Sequence, residues 1–357
     1  MLVQAKPLEE LLHRIFIGVG SNDHEARIVA HHLVDSCLVG HDSHGVIRTL
    51  PYVKAVKKGE MHANVRPQTL FENDTMFVLD GGHGFGQVAA LEATNRAIAK
   101  AEKSGLAMYT LRHSGHCGRL GAWAELAAGA GQATIYFANS VRPGGAQIAP
   151  FGGSDRRLNV GPISLGMPVK GADPIVLDIS TASVAMGKVR LARNQGTKLR
   201  EACIIDANGD LTDDPFALDG PPPGALLPFG GHKGYGLCVF TDLFAGILTG
   251  AGADYRGEAT GWYPINNVMA IHINVSMLGD LDAFSREVLD YASWVKDSPP
   301  QNADQPVRLP GDVESENRRL RSERGIEIDK TTLDQVLEAA RMTETPPSFI
   351  EAVRATA

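Results

Sequence analysis

Between Gln87 and Ala138 an alanine-rich helical pattern twice gives way to a short run of strand-forming residues. Gln87 to Ala101 reads as helix, Leu106 to Leu111 as strand, Ala122 to Gly129 as helix and Ala133 to Ala138 as strand. This alternation restricts the fold more than any other feature, because helices interleaved with strands have to pack on the faces of a sheet. An α/β class follows, and the same mixture continues on either side. Leu8 to Phe16 and Asp23 to Cys37 carry helical spacing and are expected to pack together as a small cap. Thr69 to Glu72 and Met76 to Leu79, broken by Asn73-Asp74, predict a hairpin. Further along, Pro174 to Ile179 predicts a strand, Ser183 to Arg193 a helix and Asp206 to Gly224 a surface excursion. Leu237 to Leu248 then predicts a helix, Val268 to Val275 a strand, and Leu281 to Val295 and Asp329 to Ala340 two more helices.

A chain of 357 residues suits two or three compact units. Its formal charge of -7 leaves no basic excess with which to neutralise a phosphate backbone, so nucleic acid is not an expected partner. No apolar run approaches the roughly 20 residues of a membrane span. Glu9 and Glu10 also fall where a signal peptide needs an unbroken apolar stretch. A cytoplasmic enzyme without a membrane partner is the expectation. Cys37, Cys117, Cys203 and Cys238 are scattered without metal-binding or redox spacing and are expected to be reduced, with no metal site. Cys117 alone, next to His116 in a Gly-rich stretch, has the position of a candidate reactive thiol.

Three stretches carry groups suited to chemistry. In His41-Asp42-Ser43-His44-Gly45-Val46-Ile47-Arg48, Ser43 is a good helix N-cap, and a helix opening there places His44 and Arg48 one turn apart on one face. An imidazole and a guanidinium so placed combine proton transfer with carboxylate binding. Tyr52 lies one turn further, beyond Pro51, which is expected to kink or restart the helix. The second stretch, Arg112-His113-Ser114-Gly115-His116-Cys117-Gly118, follows a strand and precedes a helix, where α/β enzymes build sites; His116 is its candidate acid or base. The third, Leu227 through Leu237, is a Gly-rich loop feeding an apolar helix, with Lys233 suited to a phosphate. No Gly-x-x-x-x-Gly-Lys-Ser/Thr occurs, and no Gly-x-Gly-x-x-Gly follows a strand. Asp178, ending a predicted strand, is placed either to bind a ribose hydroxyl or to cap the next helix together with Ser180-Thr181.

Taken together these stretches resemble the type 2 malate/L-lactate dehydrogenase family, whose members include ureidoglycolate, sulfolactate and diketogulonate enzymes and the reductases of piperideine- or pyrroline-2-carboxylate. The likeness runs nearly end to end. It is carried by Asp42 to Arg48 with Tyr52, Ser114 to Gly118, Ala138-Asn139-Ser140, Ala149 to Gly153, Pro174 to Asp178, Leu227 to Leu237 and Leu309-Pro310-Gly311-Asp312. The resemblance implies hydride transfer between NAD or NADP and a small 2-hydroxy or 2-oxo acid. It implies a non-Rossmann, mainly antiparallel sheet flanked by helices for the cofactor, with a helical cap and a second discontinuous domain. Residues 116–299 would form the NAD(P)-binding domain, and 1–115 with 300–357 the substrate and dimerisation domain, in a homodimer with shared active sites. By the same likeness His116 is the proton donor, and His44 with Ser43 orients the reacting centre. Arg48 holds the substrate carboxylate and Tyr52 lines the pocket. Ser140, Asp178, Ile179, Ser180, Lys233, Gly311, Asp312 and Val313 contact the dinucleotide. Cys117 and Val160-Gly161-Pro162 depart from the usual pattern; a small side chain at 117 suggests a wider site, and Arg112 and Arg142 add positive charge near the same loops.

Three other readings stand beside this one. A cyclic-imine reductase needs the same carboxylate clamp and proton donor. A non-catalytic small-molecule binding protein keeps the fold without turnover. A hydrolase is disfavoured, since no Gly-x-Ser-x-Gly elbow is present.

Overall fold

The computed structural model describes residues 1–141, 145–253 and 265–355; Arg142 lies outside them. The chain is a mixed α/β protein whose sheets are rich in antiparallel pairs and flanked by helices. It divides into two compact units, residues 1–136, 164–178 and 270–357 in the first and 137–163 and 179–269 in the second.

Seven strands, each contributing residues to the first unit, form one sheet in the order Gln68–Glu72, Met76–Asp80, Leu106–Ser114, Ile265–Asn274, Gln132–Val141, Pro162–Met167, Ile175–Ser180. The predicted hairpin is present as the antiparallel pair of the first two strands, and Met76–Asp80 then runs parallel to Leu106–Ser114. A parallel neighbour requires a crossover, and the helix Gly86–Ser104 supplies it. Ala89, Ala93, Ala97 and Ala101 recur one turn apart and are buried, a seam of small side chains that lets this helix lie close to its strand. The first two helices, Ala5–Gly18 and Asp23–Leu38, pack together as expected, and Lys330–Met342 and Pro347–Arg354 pack against the former. Phe16, Tyr52 and Phe85 meet edge to face or tilted, with ring centres 5.6 to 6.4 Å apart, and fix Tyr52 in the core.

In the second unit, Ala225–Leu226, Ile204–Ile205 and Leu211–Thr212 form a small antiparallel sheet over a core of Ile148, Val189, Ile204, Leu226 and Cys238. Its long apolar helix is α-helical over His232–Thr241 and continues as one π-helical stretch, Asp242–Ile247. Among the described residues no helix is long and apolar enough to cross a membrane, and no group of histidines, cysteines and carboxylates is arranged to hold a metal ion.

Two local expectations are corrected, and at Pro51 one of two alternatives holds. No helix opens at Ser43: Asp42–His44 and Val46–Arg48 are two 3-10 turns broken at Gly45, and the α-helix begins at Thr49. A Cβ at Gly45 would overlap the Cys37 sulfur, so the backbone is pinned there by packing rather than by a cap. Of the two outcomes expected at Pro51 the restart is found and the kink is not: the α-helix begins at Thr49, so Pro51 lies in its first turn, where backbone N–H groups have no intrahelical partner to lose. The helix after Ser180 starts only at Met186 and has no side-chain cap, which removes the capping role considered for Asp178 with Ser180-Thr181. The helix Asp312–Arg324 was not expected at all.

Candidate active site

The two 3-10 turns bring His44 and Arg48 to the same place without a shared helix face. Ser43 Oγ lies 3.0 Å from His44 Nδ1, and Arg48 Nε donates to the Ser43 carbonyl at 2.6 Å. With Nε spent on its own turn, the guanidinium keeps its two terminal nitrogens for a ligand. The described residues provide no carboxylate partner for it. His116, after the strand Leu106–Ser114, stacks on His44 with ring centres 5.4 Å apart and planes 15° from parallel. Its Nδ1 is 2.6 Å from Tyr52 Oη, which also accepts from Gln87 Nε2 at 2.9 Å. Tyr52 and Gln87 are buried, His44 and His116 half-buried, Ser43 exposed.

Both imidazoles are held well below the ordinary histidine range, first by burial and then by the Arg48 charge beside them. At neutral pH they are uncharged. A site with one uncompensated cation and two neutral imidazoles is suited to an anion that also exchanges a proton. Cys117 follows His116 in the chain. It is buried, with its sulfur 3.8 Å from Ser114 Oγ, and burial pushes its thiol up to about 12, so it packs and does not react. Arg112 is paired with Asp80 at 3.2 Å.

A charged network lies beside the first-unit residues expected to touch a dinucleotide. Arg119, fully buried, forks onto Glu125 at 2.7 and 2.8 Å, and its backbone N–H donates to His32 Nε2 at 2.9 Å. His32 is thereby an acceptor, and burial and Arg119 bring it down to about 3. Asp178 Oδ2 accepts from Gly121 N at 2.8 Å, so its carboxylate sits at the N-terminus of the helix Gly121–Gly129. Burial raises its pKa, opposed by His41 and Arg119. His41 Nε2 pairs with Glu314 at 3.0 Å, tying the His44 turn to the helix that starts at Asp312. Gly311 caps that helix at φ +96° with its Cα facing the Val176 backbone, a place for glycine alone. The Asp312 carboxylate accepts from Leu309 N and Lys296, its backbone N–H donates to Leu309 O at 3.1 Å, and Val313 is exposed. A cleft of about 1040 Å³ is lined by His31, Trp123, Arg318, Glu314 and Gly311, and includes neither His44 nor His116.

Ser140, Ile179, Ser180 and Lys233 belong to the second unit. There Phe229 N donates to Thr181 O at 3.1 Å and Ser183 N to Leu227 O at 2.9 Å, so the strand end carrying Ser180 and the loop leading to Lys233 are bonded together. Asn139, next to Ser140, is buried and accepts from Asn267 Nδ2 at 2.9 Å. The helix His232–Thr241 is capped by Gly231 without any side-chain acceptor, and Lys233 is exposed in its first turn.

Gln87, His32, Arg119, His41 and Glu314 were not anticipated. His41 was in view as part of its stretch. Gln87 and Arg119 carry no local signal, since each is defined by a partner distant in the chain.

Residues 3–337 match the family described as malate/L-lactate dehydrogenase. Hydroxycarboxylate dehydrogenase B of Escherichia coli K12 is 36% identical over 351 residues, covering 98% of this chain and 96% of the relative. The solved sulfolactate dehydrogenase of Methanocaldococcus jannaschii superposes with a TM-score of 0.87 at 29% identity, over 96% of this chain and 98% of that one. The delta1-piperideine-2-carboxylate reductase of Pseudomonas syringae pvar. tomato gives 0.82 at 28% identity, over 95% and 100%. With the family matched over nearly its whole length, the chain belongs to the malate/L-lactate dehydrogenase family of oxidoreductases.

Proposed function

We propose that this enzyme exchanges a hydride between NAD or NADP and a small 2-hydroxy or 2-oxo acid, with His116 as the proton donor and acceptor and Arg48 as the carboxylate clamp. The observation that carries this reading is the stacked His44–His116 pair beside Arg48, for which the described residues provide no carboxylate. The terminal nitrogens of Arg48 grip the acid end in a fork. His116 Nε2, which has no partner among the described residues, faces no competitor for the substrate oxygen and moves the proton to or from it. His44, held by Ser43, orients the reacting carbon against the same ring stack. Binding of the carboxylate offsets the Arg48 charge, which raises the proton affinity of both imidazoles and prepares His116 as an acid.

The residues expected to hold the dinucleotide suit it. Gly231 opens a helix whose first-turn N–H groups favour phosphate, and Lys233 adds a point charge there; the helix after Gly311 carries the Asp312 and Glu314 carboxylates in its first turn, which suits hydroxyl groups rather than phosphate. In the first unit Asp178 keeps one carboxylate oxygen for a ribose hydroxyl, with Gly311, Asp312 and Val313 as further contacts; in the second unit the contacts are Ser140, Ile179 and Ser180. Bound nicotinamide supplies or takes the hydride. The lack of a Gly-x-Gly-x-x-Gly after any strand supports a non-Rossmann mode of binding. A homodimer is supported by the exposed stripe Leu237, Phe240, Leu243 and Ile247 on one continuous helical segment.

The test follows NADH and NADPH absorbance with pyruvate, oxaloacetate, ureidoglycolate and piperideine-2-carboxylate. Turnover of an oxo or hydroxy acid is expected. Turnover of the cyclic imine alone favours the reductase reading, to which the Pseudomonas syringae structure lends weight. A protein that binds both cofactors and turns over none of the four overturns the proposal.

A further inference from the structure

We propose that Gln87 is a positioning residue whose side-chain amide, acting through Tyr52, selects which nitrogen of His116 carries the proton. The inference rests on the acid/base reading of His116 given above. Gln87 stands in the first turn of the helix Gly86–Ser104 and is 0% exposed. Packing alone would favour a leucine or methionine there, since a buried primary amide is costly unless its atoms are bonded. Its Nε2 donates to Tyr52 Oη, yet its Oε1 is buried with no partner.

That orphaned oxygen has a use when the protons are counted. With Gln87 donating, Tyr52 turns its hydrogen toward His116 Nδ1 at 2.6 Å, and neutral His116 carries its proton on Nε2. A half turn of the amide puts Oε1 opposite Tyr52 Oη. The tyrosine hydrogen then goes to Gln87, and its oxygen accepts from His116 Nδ1–H. Nε2 is left bare in the neutral ring, ready to take a proton from a substrate hydroxyl, or carries the second proton in the imidazolium. The same amide therefore matches the resting tautomer in one orientation and both working states in the other. Because a side-chain amide presents nearly equal shapes either way, the exchange keeps the packing and moves the unpaired end of the amide from Oε1 to Nε2. The charged and titratable groups facing His116 are Arg48 and His44 from the 3-10 turns, Tyr52 from the following helix and His32 from the helix Asp23–Leu38. None of them reaches Nδ1 except Tyr52.

The experiment is 15N NMR of histidine-labelled full-length protein without substrate, with the His116 signals identified by their loss in His116→Gln. The parent is expected to show the Nε2–H tautomer. Gln87→Glu, whose carboxylate only accepts, should move the proton to Nδ1 and raise the midpoint of His116 titration. Gln87→Leu, which fills the site without polar atoms, should give a mixture of tautomers. If Gln87→Glu fails to fold, the mixture in Gln87→Leu carries the test. The same tautomer and midpoint in the parent and in every folded variant overturns the inference while leaving the acid/base role intact. Retained turnover in His116→Ala would instead bring down the proposed function.

Discussion

The first unit contains two stacked pairs of imidazoles with nearly the same ring geometry and opposite surroundings. His44 and His116 lie 5.4 Å apart and 15° from parallel, and His83 and His113 lie 5.9 Å apart and 15° from parallel. Beside the first pair stands Arg48, for which the described residues provide no carboxylate. Beside the second, Asp80 accepts from His113 Nδ1 at 2.9 Å and pairs with Arg112. The backbone differs as well: His83 and His113 adopt φ values of 57° and 51°, where side chains are strained, at a turn in which Gly81 and Gly84 pack against the chain from His113 to Gly115. Stacked histidines alone do not make a site. The second pair carries its counter-ion built in, whereas the first has to obtain one from a ligand, and that is what makes it suited to an acidic substrate.

The contrast is broken most directly by removing one ring from each pair. His116→Ala should fold, bind the dinucleotide and lose about a hundredfold to ten-thousandfold in kcat, the usual worth of a general acid or base. His113→Ala should leave kcat unchanged. Steady-state kinetics with the acid identified by the substrate panel decides, and equal losses in the two variants would end the distinction.

Next in size is Arg48→Lys, which keeps the charge and discards the fork. KM for the acid should rise about tenfold to a hundredfold, as expected when a charged, two-pronged hydrogen bond is lost, with cofactor affinity unchanged by fluorescence titration. Equal loss of both would remove Arg48 from the clamp.

The pH dependence sharpens the same point. A depressed imidazole stays neutral as pH falls below 6.5, so kcat/KM for hydroxy-acid oxidation, which needs neutral His116, should persist there and fail only as pH drops through the lowered value. In Arg48→Leu the largest charge among the depressing causes is gone, and the acid limb should move up. An acid limb near 6.5 in the parent would contradict the electrostatics described for the pair. The smallest effect belongs to the other pair. Asp80→Asn removes a partly exposed counter-ion and should cost about 1 kcal/mol of stability in thermal unfolding, with turnover intact.

Much of the site was legible in residue types. His44, Arg48 and His116 stand in short polar stretches beside apolar elements, and such stretches are conspicuous because nothing in packing calls for them. Their geometry was not legible. A helix from Ser43 would have aligned His44 with Arg48, but Gly45 is fixed by its contact with Cys37, and two short turns achieve the same meeting. Gln87 was hidden inside an alanine-rich pattern, where a glutamine reads as a solvated position. The helix Asp312–Arg324 escaped because it has no buried residue and hence no apolar periodicity; it is held by Arg318 on Asp35 and Glu125 and by His41 on Glu314.

The sequence by itself determined the alternation of helices and strands, the hairpin near residue 74, and a family likeness strong enough to name the chemistry. Each of these is written in local spacing or in short motifs. Only the tertiary structure decided that His116 meets Tyr52 and Tyr52 meets Gln87, that Asp178 caps a helix other than the one following it, and that none of the described carboxylates pairs with Arg48. Those outcomes depend on which groups become neighbours after burial, where an unmet hydrogen bond or charge is costly, and the order of residues along the chain does not contain that information.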